Sequence, residues 1–354
     1  MREILGRAPY LNTVLTLLVP LVLIAAATDA FGGTVQQRIV TTMFINMILV
    51  LGLQVYMGNS GIVSFAHIGF MGIGAYASAV LSMPPDLKAM TLRDLYDVLQ
   101  PIDLPFWLAV TVGAGVAGVV AAIISYPLMR LSDAAAIITS FALLVVINDV
   151  LVHWSEVTNG PRTLFGVERF TYLWTSAGVA FAGLLFAAWF RESRVGLQLR
   201  ASRDDRVAAQ SCGVNMVFVR WVAFVLMCIY AAIAGALWAH FITSFQPGHF
   251  YLEEVFLILA MLVIGGPVSV SGAVIGTILV TLAFEGFRAL EGYLNTNQVF
   301  GTQVFGLTEF LLALAMIGIL IFRPAGVMRG RELRIGRRHR GGRGMPATKE
   351  RAAD

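Results

Sequence analysis

The stretch GNSGIVSFAHIGFMGIGAYASA, residues 58–79, follows directly on IVTTMFINMILVLGLQVYM, residues 39–57, and no Asp, Glu, Lys or Arg interrupts either. Each is close to the ~20 apolar residues a helix needs to cross a bilayer, and a cluster of Gly, Asn and Ser separates them. Two crossings joined by a Gly-rich break are the pattern that decides the fold, because the rest of the chain continues it. Ten apolar windows occur, at about 11–28, 39–57, 61–82, 105–126, 134–153, 172–190, 218–241, 251–266, 272–290 and 303–322. Glycines interrupt the third, eighth and ninth, so the count lies between eight and eleven.

The charges agree. Of 354 residues, 58% are hydrophobic, and 25 Lys/Arg stand against 21 Asp/Glu. More than half of these charges fall in residues 1–9, 191–206 and 323–354. A soluble domain carries about 25% charged residues, whereas this chain carries 13%. A large soluble globule is excluded, and no stretch remains for a separate soluble catalytic domain. The expected fold is an all-α integral membrane protein of about ten transmembrane helices. Residues 1–328 are expected to form a single polytopic domain, followed by a basic cytoplasmic tail, 329–354, expected to be disordered. The triplet Ala25, Ala26, Ala27 after Arg2 and Arg7 imitates a signal-peptide cleavage site. The apolar stretch is long for that, and a second span follows about ten residues later, which favours an uncleaved first helix.

Cys212 and Cys228 sit in no CxxC or Cys/His cluster, so neither a metal nor a disulfide framework is expected, and no cofactor. The tail arginines, Arg329, Arg331, Arg334, Arg337, Arg338, Arg340 and Arg343, could in general suit nucleic acid. Beside a membrane span they suit orientation and contact with anionic lipid instead, and no nucleic-acid partner is expected. With both termini in the cytoplasm and ten spans, 18 Lys/Arg fall on the cytoplasmic side and 6 on the other, with Arg220 at a helix start. That is the positive-inside bias.

The segments 58–79 and 265–276 (GGPVSVSGAVIG) both place Gly and Ser at the cytoplasmic end of a span and then resume with small residues. Paired interruptions in the two halves of a transporter often mark discontinuous helices that line a path; a tight hairpin is the competing reading. Polar groups inside spans are costly and tend to face a cavity or a partner. The path candidates are Asn46, Ser64, His67, Gly265, Gly266 and Glu285. His67 could equally make an interhelical hydrogen bond, Glu285 could pair with Arg288, and Asp149 with His153. Glu253 and Glu254 open a span, where the helix N-terminus favours carboxylates anyway. The loop from Met83 to Leu104 is external and acidic-leaning, with Asp86, Asp94, Asp97 and Asp103. The loop from Arg191 to Val217 is internal, polar and of helical composition, with Gly213 as its stop. Neither GxxxxGK[ST], HExxH nor GxSxG occurs, so the chain is not expected to be an enzyme, and any ATP-driven work must come from a partner.

With the spans placed, the motifs resemble those of permease subunits of ATP-driven importers of the branched-chain amino acid family, the M-type member above all. In the first half the resemblance rests on Ser64, His67, Phe70, Gly74, Ala75 and Tyr76. In the second it rests on RESRVGLQLRASRDDRVAAQSCGVN, residues 191–215, then on Pro247, Met261, Gly265, Gly266, Ser269, Gly272, Gly276, Glu285 and FRPAG, residues 322–326. It covers roughly residues 40–328.

The resemblance implies that the 191–217 loop carries a coupling helix that docks in an ATPase, with Gly196, Arg200, Ala201, Asp204, Asp205, Ala208 and Gly213 at its surface or turns. It further implies a homologous permease subunit, two cytoplasmic ATPase subunits, an extracytoplasmic substrate-binding protein, and a multi-pass location in the bacterial inner membrane. Pro267 stands where a small or apolar residue is expected, Ala273 replaces a common proline, and residues 158–167 resemble the family only loosely. Relatives in such a family carry leucine, isoleucine and valine, but also urea, amides and aromatic acids. A sugar or nucleoside permease is a further alternative, although GNSGIVS lacks the aspartate of sugar-type relatives. An ion-coupled secondary transporter using Glu285 or Asp149 is the alternative from another class.

Overall fold

Hydrocarbon offers no partners to backbone N–H and C=O groups, so a chain this apolar must satisfy them within its own helices. The computed structural model describes residues 9–297, 305–323 and 325–333 and bears this out. Helix α1 (Pro9–Phe31) is followed by α2 (Thr34–Leu53), which ends in one wider π turn, Gln54–Gly58. Then come α3 (His67–Ser82), α4 (Pro85–Thr91), α5 (Phe106–Leu128), α6 (Asp133–His153), α7 (Ser155–Thr158) and α8 (Leu173–Glu192). The second half holds α9 (Arg194–Asp204), α10 (Arg206–Ser211), α11 (Met216–Ile242), α12 (Leu252–Gly265), α13 (Val270–Thr296) and α14 (Leu307–Phe322). Among the described residues eight helices are long and apolar enough to cross a membrane, within the expected range of eight to eleven, and two shorter apolar helices, α3 and α14, fall on two further windows.

The core forms where α11 packs on α3, α5 and α2. Helix α2 is the most enclosed, with 83% of its span buried against 22% for the peripheral α1. Helices approach this closely because glycines face backbone. A Cβ on Gly74 of α3 would stand 2.2 Å from the Ala232 carbonyl of α11, and one on Gly235 of α11 would stand 2.0 Å from the Met71 carbonyl of α3. Small residues of this kind replace the hydrophobic drive that lipid removes. Edge-to-face rings fill the rest, among them Tyr56 on Phe224 at 5.3 Å and Tyr76 on Phe245 at 5.0 Å.

One end of the bundle gathers the 83–104 and 154–172 segments and the turn after α11. There Leu164–Phe165 and Ser244–Phe245 pair as a two-residue antiparallel ribbon. Lys88 is fully buried in this end, its ammonium donating to the carbonyls of Leu99 (3.2 Å) and Ile102. Burial lowers the Lys88 pKa below its ordinary value, and the Asp103 carboxylate opposes that shift.

The opposite end holds both Gly-rich breaks, the α9–α10 segment and the chain after α14. The third helix starts at His67, six residues later than the window predicts. Gly61 takes φ +76°, which releases the chain from α2, and the Phe65 N–H is taken by the Ser140 hydroxyl (3.2 Å). The internal loop is two short helices instead of one, because Asp205 is extended (φ −148°, ψ 111°) and caps α10 through the N–H groups of Val207 (2.9 Å) and Ala208 (3.0 Å). Gly213 stops it at φ +80°. Residues 325–333, the last five of them expected as tail, pack back on the bundle. The N–H groups of Val327 and Met328 donate to the carbonyls of Ile264 (2.9 Å) and Gly265 (3.1 Å), which the end of α12 leaves open. The tail arginines from Arg334 onward lie outside the described residues, as does Pro324 of the FRPAG motif.

Candidate functional site

A half-open cavity of about 770 Å³ lies between α2, α3, α11, α12 and α13, within the size range of small-molecule sites. Arg38 near the start of α2, Glu254 in the first turn of α12 and Arg288 in the last third of α13 place its mouth at the ribbon end of the bundle. Asn46 is eight residues further along α2 than Arg38, roughly 12 Å deeper at 1.5 Å per residue, and joins Met71 and Met261 at the floor. Thr42, Thr281 and Glu285 supply the remaining polar side chains; Trp238, Phe241, Leu257 and Phe284 supply the apolar walls. Glu285 stands 3.8 Å from Arg288 on the same helix. Arg38 also lies 6.0 Å from the centre of the Phe241 ring. Glu254 has no hydrogen bond or ion pair among the described residues, and the Thr281 hydroxyl is buried without a partner among them. A wall with two carboxylates, two guanidiniums, amide and hydroxyl groups, and aromatic and thioether surface suits a small solute carrying both charges and an apolar part.

Of the path candidates, Asn46 and Glu285 line this cavity. Ser64, His67, Gly265 and Gly266 do not. His67 is buried with Nδ1 3.1 Å from the Ser64 carbonyl, so it belongs to the entry of α3. Gly265 and Gly266 belong to the α12–α13 turn. A Cβ on Gly265 would meet the Gly272 carbonyl at 1.9 Å, and Gly266 has φ +114°. Asp149 and His153 form an exposed local pair at 3.1 Å. Glu254 at a helix start, Arg288 as a partner of Glu285 and Arg38 at a span end all have ordinary explanations in the sequence, so sequence alone does not mark them as cavity residues.

The two Gly-rich breaks meet at the other end. A Cβ on Gly58 would lie 2.2 Å from the Pro267 carbonyl, and one on Gly326 would lie 2.5 Å from the Gly266 Cα. The 191–217 loop holds this junction with arginines. Arg203 donates to the Gly58 carbonyl (2.8 Å), and Arg200 to the Arg191 carbonyl (2.9 Å). Arg206 and the buried Arg220 share Asp133 at 3.5 and 2.9 Å. Burial lowers the Arg200 pKa below its ordinary range, and the neighbouring charges of Arg191 and Arg203 act the same way against those of Glu192 and Asp204. Leu199, Ser202 and Ala209 face inward, as does Gly196, whose missing Cβ makes room for the Phe190 carbonyl (2.2 Å). Ala201, Asp204, Asp205, Val207, Ala208 and Gly213 face outward, forming an open surface on a segment tied firmly to the bundle.

A helical bundle with eight membrane-length apolar helices among the described residues, a charge-lined cavity at one end and a braced surface segment at the other defines a multi-pass membrane protein with room for a small solute. The family described as "Branched-chain amino acid transport system / permease component" matches residues 36–320, and the chain belongs to that family. It is 24% identical over 330 residues to the high-affinity branched-chain amino acid transport system permease protein LivM of Escherichia coli, covering 84% of this chain and 70% of the relative. It is 23% identical over 301 residues to the probable branched-chain amino acid transport permease protein LivH of Methanocaldococcus jannaschii, covering 79% and 87%. The nucleoside ABC transporter permease protein NupC of Lactococcus lactis is 24% identical over 281 residues, covering 72% and 79%.

Proposed function

We propose that the protein is the membrane-spanning permease subunit of an ATP-driven importer for branched-chain or other hydrophobic amino acids. It pairs with a homologous permease, two cytoplasmic ATPases and an extracytoplasmic binding protein, and works by alternating access in the bacterial inner membrane with both termini inside. The observation that carries this reading is the cavity. Its mouth lies on the side of the 83–104 loop, where a binding protein would deliver solute, and its floor lies above the contact between the two breaks. Glu254 and Glu285 suit an ammonium group, Arg38 and Arg288 a carboxylate, and Met71, Trp238, Leu257 and Met261 an apolar side chain. The exposed face of α9 and α10 supports docking of an ATPase, whose closure would reach the junction through Arg203 and the start of α6 through Arg206.

The test is uptake of labelled leucine into proteoliposomes holding the complete complex. Uptake is expected to require ATP, to survive a proton uncoupler, and to be competed by isoleucine and valine. Uptake that collapses with the uncoupler while ATP is held constant would instead establish an ion-coupled carrier. The nucleoside relative gives the second reading its one support, so adenosine and urea belong among the competitors. If adenosine competes and leucine does not, the amino-acid assignment falls while the permease assignment stands.

A further inference from the structure

Glu332 lies beyond the last helix, in a stretch whose charges read as a mere orientation signal, yet its side chain is only 6% exposed. One carboxylate oxygen accepts from the Arg191 guanidinium and from the Val270 N–H (2.9 Å). The other accepts from the Ser271 N–H (3.0 Å) and the Ser271 hydroxyl (2.5 Å). The Leu333 N–H completes the set by donating to the same hydroxyl oxygen (3.0 Å). The start of α13 needs acceptors for its first N–H groups, and a carboxylate there is favoured by the helix dipole. Capping alone, however, needs no arginine: Ser269 does that work for Gly272 at 3.0 Å with a hydroxyl.

Arg191 is the part that capping leaves over. It sits in the last turn of α8, where the 191–217 loop begins, and its side chain is 12% exposed. Its carbonyl is held by Arg200 of α9, and its guanidinium is held by Glu332. A continuous chain of contacts therefore runs from α9 through Arg191 and Glu332 to the first N–H groups of α13. On the other side of the junction, Arg203 of the same α9 reaches the Gly58 carbonyl. The loop thus grips both Gly-rich breaks, one directly and one through the tail.

We propose that the Arg191–Glu332 pair is the strut that makes the α12–α13 turn move with the 191–217 loop, so that Glu332 is a positioning residue for transport. The inference rests on the coupling reading of that loop. Separating a buried ion pair leaves a charge without its partner, which is costly, so the two residues travel together.

Arg191→Gln isolates the strut, because Glu332 keeps both oxygens for the Val270 and Ser271 N–H groups, whereas Glu332→Gln keeps an acceptor oxygen for only one of them and loses the charge that holds Arg191. In the complete complex in proteoliposomes, leucine moved per ATP hydrolysed is expected to fall about tenfold in E332Q. Arg191→Gln should do the same, and the double variant should be no worse than either single one, as for two residues acting as one unit. A second readout needs no substrate. Hydrogen exchange across residues 266–276 is expected to change when ATP and Mg²⁺ are added to the wild-type complex, and to lose that response in E332Q. A wild-type transport ratio in E332Q, whatever the yield of complex, overturns the strut. So does an exchange response that E332Q retains or that the wild type lacks. If the wild-type complex moves no leucine with ATP, the proposed function fails, and the exchange measurement still decides the strut.

Discussion

Single polar side chains carry unusual weight in this protein because most of what surrounds them cannot hydrogen-bond. Lys88 shows the structural use of such a group: its buried ammonium is held by the Leu99 and Ile102 carbonyls and so pins the 83–104 loop to itself. Lys88→Met keeps the volume and removes the donor. It is expected to destabilise by about 1–3 kcal/mol, the cost of leaving buried acceptors unpaired, read as a lower unfolding temperature in detergent. An unchanged temperature would mean the loop is held by something else. In the proposed function Glu254 is the counterpart, since nothing among the described residues pairs with its carboxylate at the cavity wall. Glu254→Gln is expected to weaken apparent leucine affinity in transport by about tenfold or more, because a hydrogen bond to a charged group is worth about 1.5–3 kcal/mol. Basal ATP hydrolysis by the complex should not change. Equal losses in both activities would place Glu254 in the scaffold. At this scale the sequence was partly readable. Asn46 and Glu285 stand out as polar residues in apolar runs, and both reach the cavity. His67 stands out equally, but the Ser64 carbonyl three residues back claims its ring. Glu332 could not be found in this way, since its donors lie 61, 62 and 141 residues away along the chain.

The helices were far more legible than the residues that join them. Apolar length alone placed the eight membrane-length helices among the described residues, because a run of about 20 apolar residues in lipid satisfies its own backbone only as a helix. What length could not show is which glycines break a helix and which let two helices touch. Gly61, Gly213 and Gly266 have positive φ and end or turn elements, whereas Gly74 and Gly235 lie within helices and set the contact between α3 and α11. The element scale therefore has its own prediction. Gly235→Ala puts a Cβ 2.0 Å from the Met71 carbonyl, a backbone atom that cannot swing away. It is expected to cost about 1–3 kcal/mol or more, as overpacking does, and to lower the yield of monodisperse protein. Gly178 of α8 and Gly115 of α5 have nothing within 4 Å of an added Cβ. Their alanine variants are expected to be neutral or slightly stabilising, since Ala exceeds Gly in helix preference by up to about 1 kcal/mol. Similar behaviour of all three variants would show that the close approach of α3 and α11 does not set stability.

For the whole molecule, the uneven spread of charge acquires two distinct meanings. The arginines of 191–206 are structural as well as basic, with four of them bound to specific atoms of the bundle. The orientation they imply can be tested without engineering a label, because the chain carries one exposed cysteine, Cys212, and one buried cysteine, Cys228. Cys212 follows α10 at the end of the bundle where both breaks, the 191–217 loop and residues 325–333 are gathered. The 18-to-6 bias of Lys and Arg predicts that this end faces the cytoplasm. A membrane-impermeant maleimide should therefore modify the protein in inside-out vesicles and leave it unmodified in right-side-out ones, and Cys212→Ser should abolish the signal. Labelling of the wild type from the outer side would invert the orientation. It would also put the 83–104 loop and the cavity mouth in the cytoplasm, where no extracytoplasmic binding protein could meet them. A further arm separates orientation from docking. If α10 lies against an ATPase, assembly of the complete complex should slow modification of Cys212 in inside-out vesicles, and removal of the ATPase should restore it. Unaltered labelling on assembly would leave the orientation standing and move the ATPase contact away from α10.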